Sequence, residues 1–144
     1  MNSIHRIFKD GVAIERINLK RATIIEAEEI KDNLLDDIDC NKIIVDLSAC
    51  NYIDSTFFGA MVFAYRLLKH QNCAIALVIS ESFLSKGYIF EEITSVFKVY
   101  NSMSDAMNAL NNEYQKVYSE NIKSIETITR TANIDQLHLV LNPE

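Results

Sequence analysis

The chain has 144 residues, 49% of them hydrophobic and 24% charged, with a formal net charge of −6. That length suits one compact domain whose core needs no disulfide or metal to hold it. The acidic balance and the scatter of lysines and arginines argue against nucleic acid as the main partner. Phe57 to Leu68, the longest apolar-rich run, carries Arg66 and is too short to cross a bilayer, so no membrane insertion is expected. Met1–Asp10 is polar and mixed in charge, which predicts no secretory signal. Cys40, Cys50 and Cys73 lack any CxxC spacing and read as reduced thiols in a cytoplasmic protein.

In chain order, Ile4–Phe8 and Val12–Leu19 flank Asp10-Gly11, a turn signal that predicts a β-hairpin. Thr23 precedes Glu26 by three residues, the spacing of a capping box, and opens a helix expected to reach Asp37. Its apolar face is Ala27, Ile30, Leu34 and Ile38. Lys42–Leu47 barely alternates and reads as a strand buried on both faces. A helix over Thr56–His70 follows, then a second near-continuous apolar strand, Cys73–Ile79. Ser80 to Thr94 reads as a helix with Ser82 as its cap, interrupted in composition by Gly87. Val96–Tyr100 is a short strand, and Ser104 is expected to cap a helix whose apolar positions are Met107, Leu110, Tyr114 and Val117 or Tyr118. Helices alternating with strands after a hairpin predict an α/β fold. Its sheet is mixed, mostly parallel with an antiparallel edge, and covered by about four helices. The main domain is expected over residues 1–120. Residues 121–144 form a C-terminal extension, a continued helix and then an alternating edge strand, Gln136–Leu141, through which two copies would pair as a homodimer.

Residues 45–59 are the chemically informative stretch: an apolar strand ends in Asp46-Leu47-Ser48, and a polar loop delivers Asp54, Ser55 and Thr56 to the start of an apolar helix. A hydroxyl there is either an ordinary cap or a place where phosphate is added and read. The stretch resembles the signature of the STAS family, the sulphate-transporter and anti-sigma-factor-antagonist domain, whose Asp-Leu-Ser strand end precedes Asp-Ser-Ser/Thr-Gly-Leu-Gly. A second piece, Phe97-Lys98-Val99-Tyr100-Asn101-Ser102 before Asp105-Ala106, is similar to the family's last strand and helix. The resemblance covers residues 5–112. It departs at Phe57-Phe58-Gly59, where the family has Gly-Leu-Gly, so an aromatic ring is expected in the space beside the serine. It departs again near Glu92, where a usual glycine is missing.

The resemblance implies a STAS-like, non-enzymatic protein–protein interaction module of the anti-sigma factor antagonist kind. Such a module is bacterial, regulates transcription by partner switching, and needs no cofactor or metal. Ser55 would be the phosphorylation site, Thr56 a secondary hydroxyl, and the partners an anti-sigma-type serine kinase and a phosphatase. Asp54 would position the loop, and Asp46 would add a second negative charge. Phe57, Ala60 and Ala64 are expected to form an exposed apolar docking face, with Phe58, Met61 or Val62, Tyr65 and Leu68 packed on the sheet. The alternative within the same fold is a subunit of a transporter or stress-signalling assembly that is never phosphorylated.

Two other classes fit less well. Asp46, Ser80 and Lys98 mimic the aspartate, hydroxyl and lysine of a response-regulator receiver, but residues 16–22 contain no acid to hold the Mg²⁺ such a site needs. His5, His70 and His138 lie in unrelated segments, and no nucleophile elbow or glycine-rich phosphate loop accompanies them.

Overall fold

A computed structural model describes residues 3–84 and 87–112. The expected helix continuation and edge strand of residues 121–144 lie outside them. Strands β1 (Ile4–Lys9) and β2 (Val12–Ile17) form the hairpin. Asp10 and Gly11 both take positive φ, 52° and 78°, which a two-residue turn between twisted strands requires. The short β3 (Arg21–Ala22) leads into α1 (Ile24–Asp36), and a 3₁₀ turn (Asp37–Asp39) precedes β4 (Lys42–Leu47). Next come β5 (Tyr52–Ile53), α2 (Ser55–Lys69), β6 (Ala74–Ile79), α3 (Glu81–Leu84), α4 (Gly87–Val96) and β7 (Lys98–Tyr100). Helix α5 begins at residue 103 and is followed to residue 112.

The main sheet runs β1-β2-β4-β6-β7, antiparallel only between β1 and β2. This is the mixed sheet expected from the alternation of elements. Strand alternation then sorts the core into two layers. Ile43, Val45 and Leu47 of β4 and Ile75, Leu77 and Ile79 of β6 face the layer holding α1 and α2. Ile44, Ala76 and Val78 face the other layer with Val12, Ile14, Ala106 and Leu110. A second, two-stranded sheet joins β3 to β5 in parallel, pairing Arg21 with Tyr52 and Ala22 with Ile53. Two-residue strands are too short to show a period, so the sequence did not reveal them.

Several boundaries differ from the sequence reading. Thr23 and Glu26 do form the capping box of α1, but Ile38 leaves its apolar face because the 3₁₀ turn rotates it outward. Of the helix expected over Ser80–Thr94, the described residues are helical over Glu81–Leu84 and Gly87–Val96. Ser80, not Ser82, receives the Phe83 amide (3.3 Å). Ser102, not Ser104, receives the Asp105 amide at the start of α5 (3.1 Å).

One polar cluster is built into the core. Glu15 of β2 and Asp37 are both buried. Arg6 on β1 reaches Glu15 (2.8 Å) and Asp37 (3.2 Å), and its Nη2 donates to the Asn33 carbonyl (2.9 Å). The last turn of α1 has no basic residue of its own, so Arg6 supplies the positive charge that a helix C-terminus favours.

Candidate functional site

The site is a junction of two helix N-termini. Asp54 is the N-cap of α2, and its Oδ1 accepts from the Phe57 amide at 2.8 Å. Its Oδ2 accepts from the Ile24 amide, the first of α1, at 2.9 Å. One carboxylate therefore satisfies an orphan donor on each of two helices, and the positive ends of both dipoles converge on it. The β3–β5 pairing makes this geometry possible by bringing the two strand–helix transitions together, with the Asp54 amide donating to the Ala22 carbonyl (3.0 Å).

Ser55 is the first residue of α2, exposed, and Thr56 beside it is exposed as well. Because Asp54 does the capping, the Ser55 hydroxyl is not consumed by helix initiation. Arg21 lies over the Tyr52 ring (4.2 Å to the centroid) at the neighbouring strand pair.

Two expectations about this site are corrected. Phe57 is completely buried, and so is Ala64, while Ala60 is half-buried against the core; none of the three forms an exposed face. The stripe that packs inward is Phe57, Met61, Ala64 and Leu68. Phe58 and Tyr65 turn instead toward Phe97, with ring centroids at 6.2 and 5.2 Å. The helix is apolar almost all round, so spacing alone admits either stripe. The Phe57 ring therefore sits in the core and leaves the surface beside Ser55 clear. Asp46 is the second correction. Alternation along β4 sends its side chain to the Ile44 face, away from α2, where Arg16 holds it (3.0 Å) and the Ser48 amide donates to it (3.0 Å). It does not join Asp54 and Ser55.

The exposed apolar side chains near the junction are ones the sequence reading passed over. Ile24 and Ile25, in the first turn of α1, are 65% and 85% exposed. They fall outside the Ala27–Ile30–Leu34 stripe, which is the signal that would have found them. Among the described residues no cluster of three or more His, Cys, Asp or Glu is placed to hold a metal ion, and no helix is long and apolar enough to cross a membrane. A shallow groove of about 570 Å³ runs along β7 between Thr94 and Asp105; Ser55 is not part of it.

Comparison with known proteins gives one consistent result. The family model of the STAS domain matches residues 21–106. No curated protein matches by sequence. Among solved structures, the chain resembles an anti-sigma factor antagonist from Mycobacterium paratuberculosis with a TM-score of 0.64 and 15% identity, over 75% of this chain and 92% of that one. An anti-sigma-factor antagonist (STAS) domain protein from Planctomyces limnophilus matches with a TM-score of 0.63 and 19% identity, over 76% and 98%. The Bacillus cell fate determinant SpoIIAA in its phosphorylated form matches with a TM-score of 0.56 and 14% identity, over 74% and 98%. At these identities the structural likeness is one of fold.

Proposed function

The chain belongs to the STAS domain family, and from that membership we propose that it is a protein–protein interaction module of the anti-sigma factor antagonist kind, switched by phosphorylation of Ser55. The observation that carries the proposal is the division of labour between Asp54 and Ser55: the aspartate caps the helix, and among the described residues the serine stands exposed and takes no part in the cap. A phosphate on Ser55 would add about −1.5 to −2 charges where two helix N-termini already converge. The fold would tolerate it. A partner resting an apolar or acidic surface over Ile24, Ile25 and Ser55 would be expelled.

The partner that modifies Ser55 is, on this reading, a serine kinase of the anti-sigma type, which brings its own ATP and metal, with a phosphatase to reverse the reaction. Asp54 fixes the loop, Thr56 is the secondary acceptor, and Ile24 with Ile25 replaces the Phe57 face as the apolar docking surface. The setting proposed is the bacterial cytoplasm, with transcription as the process controlled.

The test is a pull-down from native lysate with wild-type, Ser55→Ala and Ser55→Asp baits, read by mass spectrometry, with phosphosites mapped on the recovered wild-type protein. A kinase held by the wild-type and Ala baits and lost with Asp, together with phosphate on Ser55, supports the switch. Identical partners on all three baits would replace it with a constitutive subunit of a larger assembly.

A further inference from the structure

Arg6, Glu15 and Asp37 leave a charge unbalanced inside the fold. Glu15 is fully enclosed and Asp37 is 2% exposed, and one guanidinium faces both. That guanidinium also lies 3.9 Å from exposed Asp36, so three acids share it. A buried carboxylate without a counter-charge of its own takes up a proton instead. The other groups facing the cluster do not supply the missing charge. Asn33, in the last turn of α1, is neutral. Asp39 of the 3₁₀ turn is one more acid, and the Cys40 thiol after it is held above its ordinary pKa by burial, then by Asp37 and Asp39.

The contacts say which acid takes the proton. Both Glu15 oxygens already accept: Oε2 from Arg6 Nε at 2.8 Å, and Oε1 from the Asn33 side-chain amide at 3.0 Å. That is the pattern of an ionised carboxylate. Asp37 differs. Its Oδ1 lies 3.2 Å from Arg6 Nε, whose hydrogen goes to Glu15, and its Oδ2 is enclosed with no donor among the described residues. Left as a carboxylate oxygen, that atom forfeits its solvation. As a hydroxyl it donates to the Glu15 carboxylate beside it. Asp37 is also the C-cap of α1, where the helix dipole disfavours a negative charge.

We propose that Asp37 and Glu15 share one proton, carried on Asp37 Oδ2, and that this proton is a pH-sensitive latch between the end of α1 and the β1–β2 hairpin. Arg6 and Glu15 are cross-strand partners in the hairpin. Asp37 closes α1 with its own amide and anchors the following turn, where the Cys40 amide donates to its carbonyl at 2.8 Å. Opening the turn lets Asp37 reach water, where it ionises in the ordinary carboxylate range. The closed turn keeps the proton until about pH 8. Between those limits each pH unit favours opening by about tenfold, and the effect levels off above about 8. The latch involves no group at the Asp54–Ser55 junction and holds whether or not Ser55 is ever modified.

Carbon-13 NMR of the side-chain carboxyls, titrated on the full chain, reads the pair directly. The expected result is two well-separated steps, one in or below the ordinary carboxylate range and one near pH 8. Both steps below about pH 5 overturn the proposal, because the pair then carries no proton at neutral pH. Glu15→Gln removes the accepting carboxylate and leaves Arg6 to Asp37, so the Asp37 midpoint falls by about one unit or more. An unchanged midpoint overturns the sharing and leaves burial alone to hold the proton. Amide exchange reads the latch. Protection at Asp37 and Cys40 falls about tenfold per unit between about pH 5 and 7 in the wild type, and not in Asp37→Asn. Equal pH dependence in the two proteins overturns the latch. Circular dichroism verifies the fold of each variant, and the wild-type titration stands without either.

Discussion

Replacing Asp54 with alanine removes two hydrogen bonds on two different helices. The α2 cap alone is worth about 1 kcal/mol. The bond from Ile24, charge-assisted but exposed, adds about 1 kcal/mol more. The sum, about 2 kcal/mol, corresponds to a fall in melting temperature of roughly 8 °C for a domain of this size. Asp54→Asn keeps one acceptor oxygen and a good cap, so it should lose only about half of that. Urea denaturation gives the totals, and amide hydrogen exchange locates them. In the alanine variant the amides of Ile24 and Phe57, thirty-three residues apart in sequence, should both exchange faster. An Asp54→Ala loss below about 0.5 kcal/mol, or an exchange increase confined to α2, would refute the two-helix junction.

Phe57→Ala should cost about 3–5 kcal/mol in urea denaturation, because the ring is wholly enclosed; a loss under about 1 kcal/mol would mean that the ring is at the surface. Asp37 gives the pH prediction. Burial first, then its hydrogen bond to and repulsion by Glu15, pushes its carboxyl up to about 8, against the opposing pull of Arg6. A folded pKa above the unfolded one means the folded state holds the proton more tightly. This group's contribution is therefore full below the ordinary carboxylate range and is lost as pH rises to about 8. Asp37→Asn mimics the protonated form, so its stability relative to wild type should grow between pH 4 and 8, as measured by melting at each pH. A constant difference across that window would show that Asp37 is ionised in the folded protein throughout.

Where burial and period agree, the sequence was sufficient. Asp10-Gly11 marked the hairpin, the Thr23–Glu26 pair marked the start of α1, and Lys42–Leu47 with the strand ending at Ile79 marked the centre of the sheet. It failed where the pattern was degenerate. In α2, the stripe through Phe57 and Ala64 and the stripe through Phe58 and Tyr65 share Met61 and Leu68 and differ by one residue of rotation. Tertiary contacts chose between them: Phe97 took Phe58 and Tyr65, and the sheet took Phe57. Long-range polar contacts were equally invisible. Nothing local says that Arg6 will meet Asn33 and Asp37, or that Asp54 will reach back to Ile24.

That last contact explains why the candidate site was half legible. The residue types were in the sequence, an acid followed by two hydroxyls before a helix, and the family motif named the serine. What sets their roles is which oxygen is already occupied, and that depends on the small β3–β5 pairing thirty residues back. With both Asp54 oxygens held by backbone amides, the loop is fixed from two directions before any partner arrives. A charge added at Ser55 would then have little slack to move the helices and would act outward, on whatever rests against Ile24 and Ile25. On the proposed reading, the switch is therefore an event of surface electrostatics. It predicts nearly unchanged backbone amide exchange in α1 and α2 on Ser55→Asp, beside a changed set of partners.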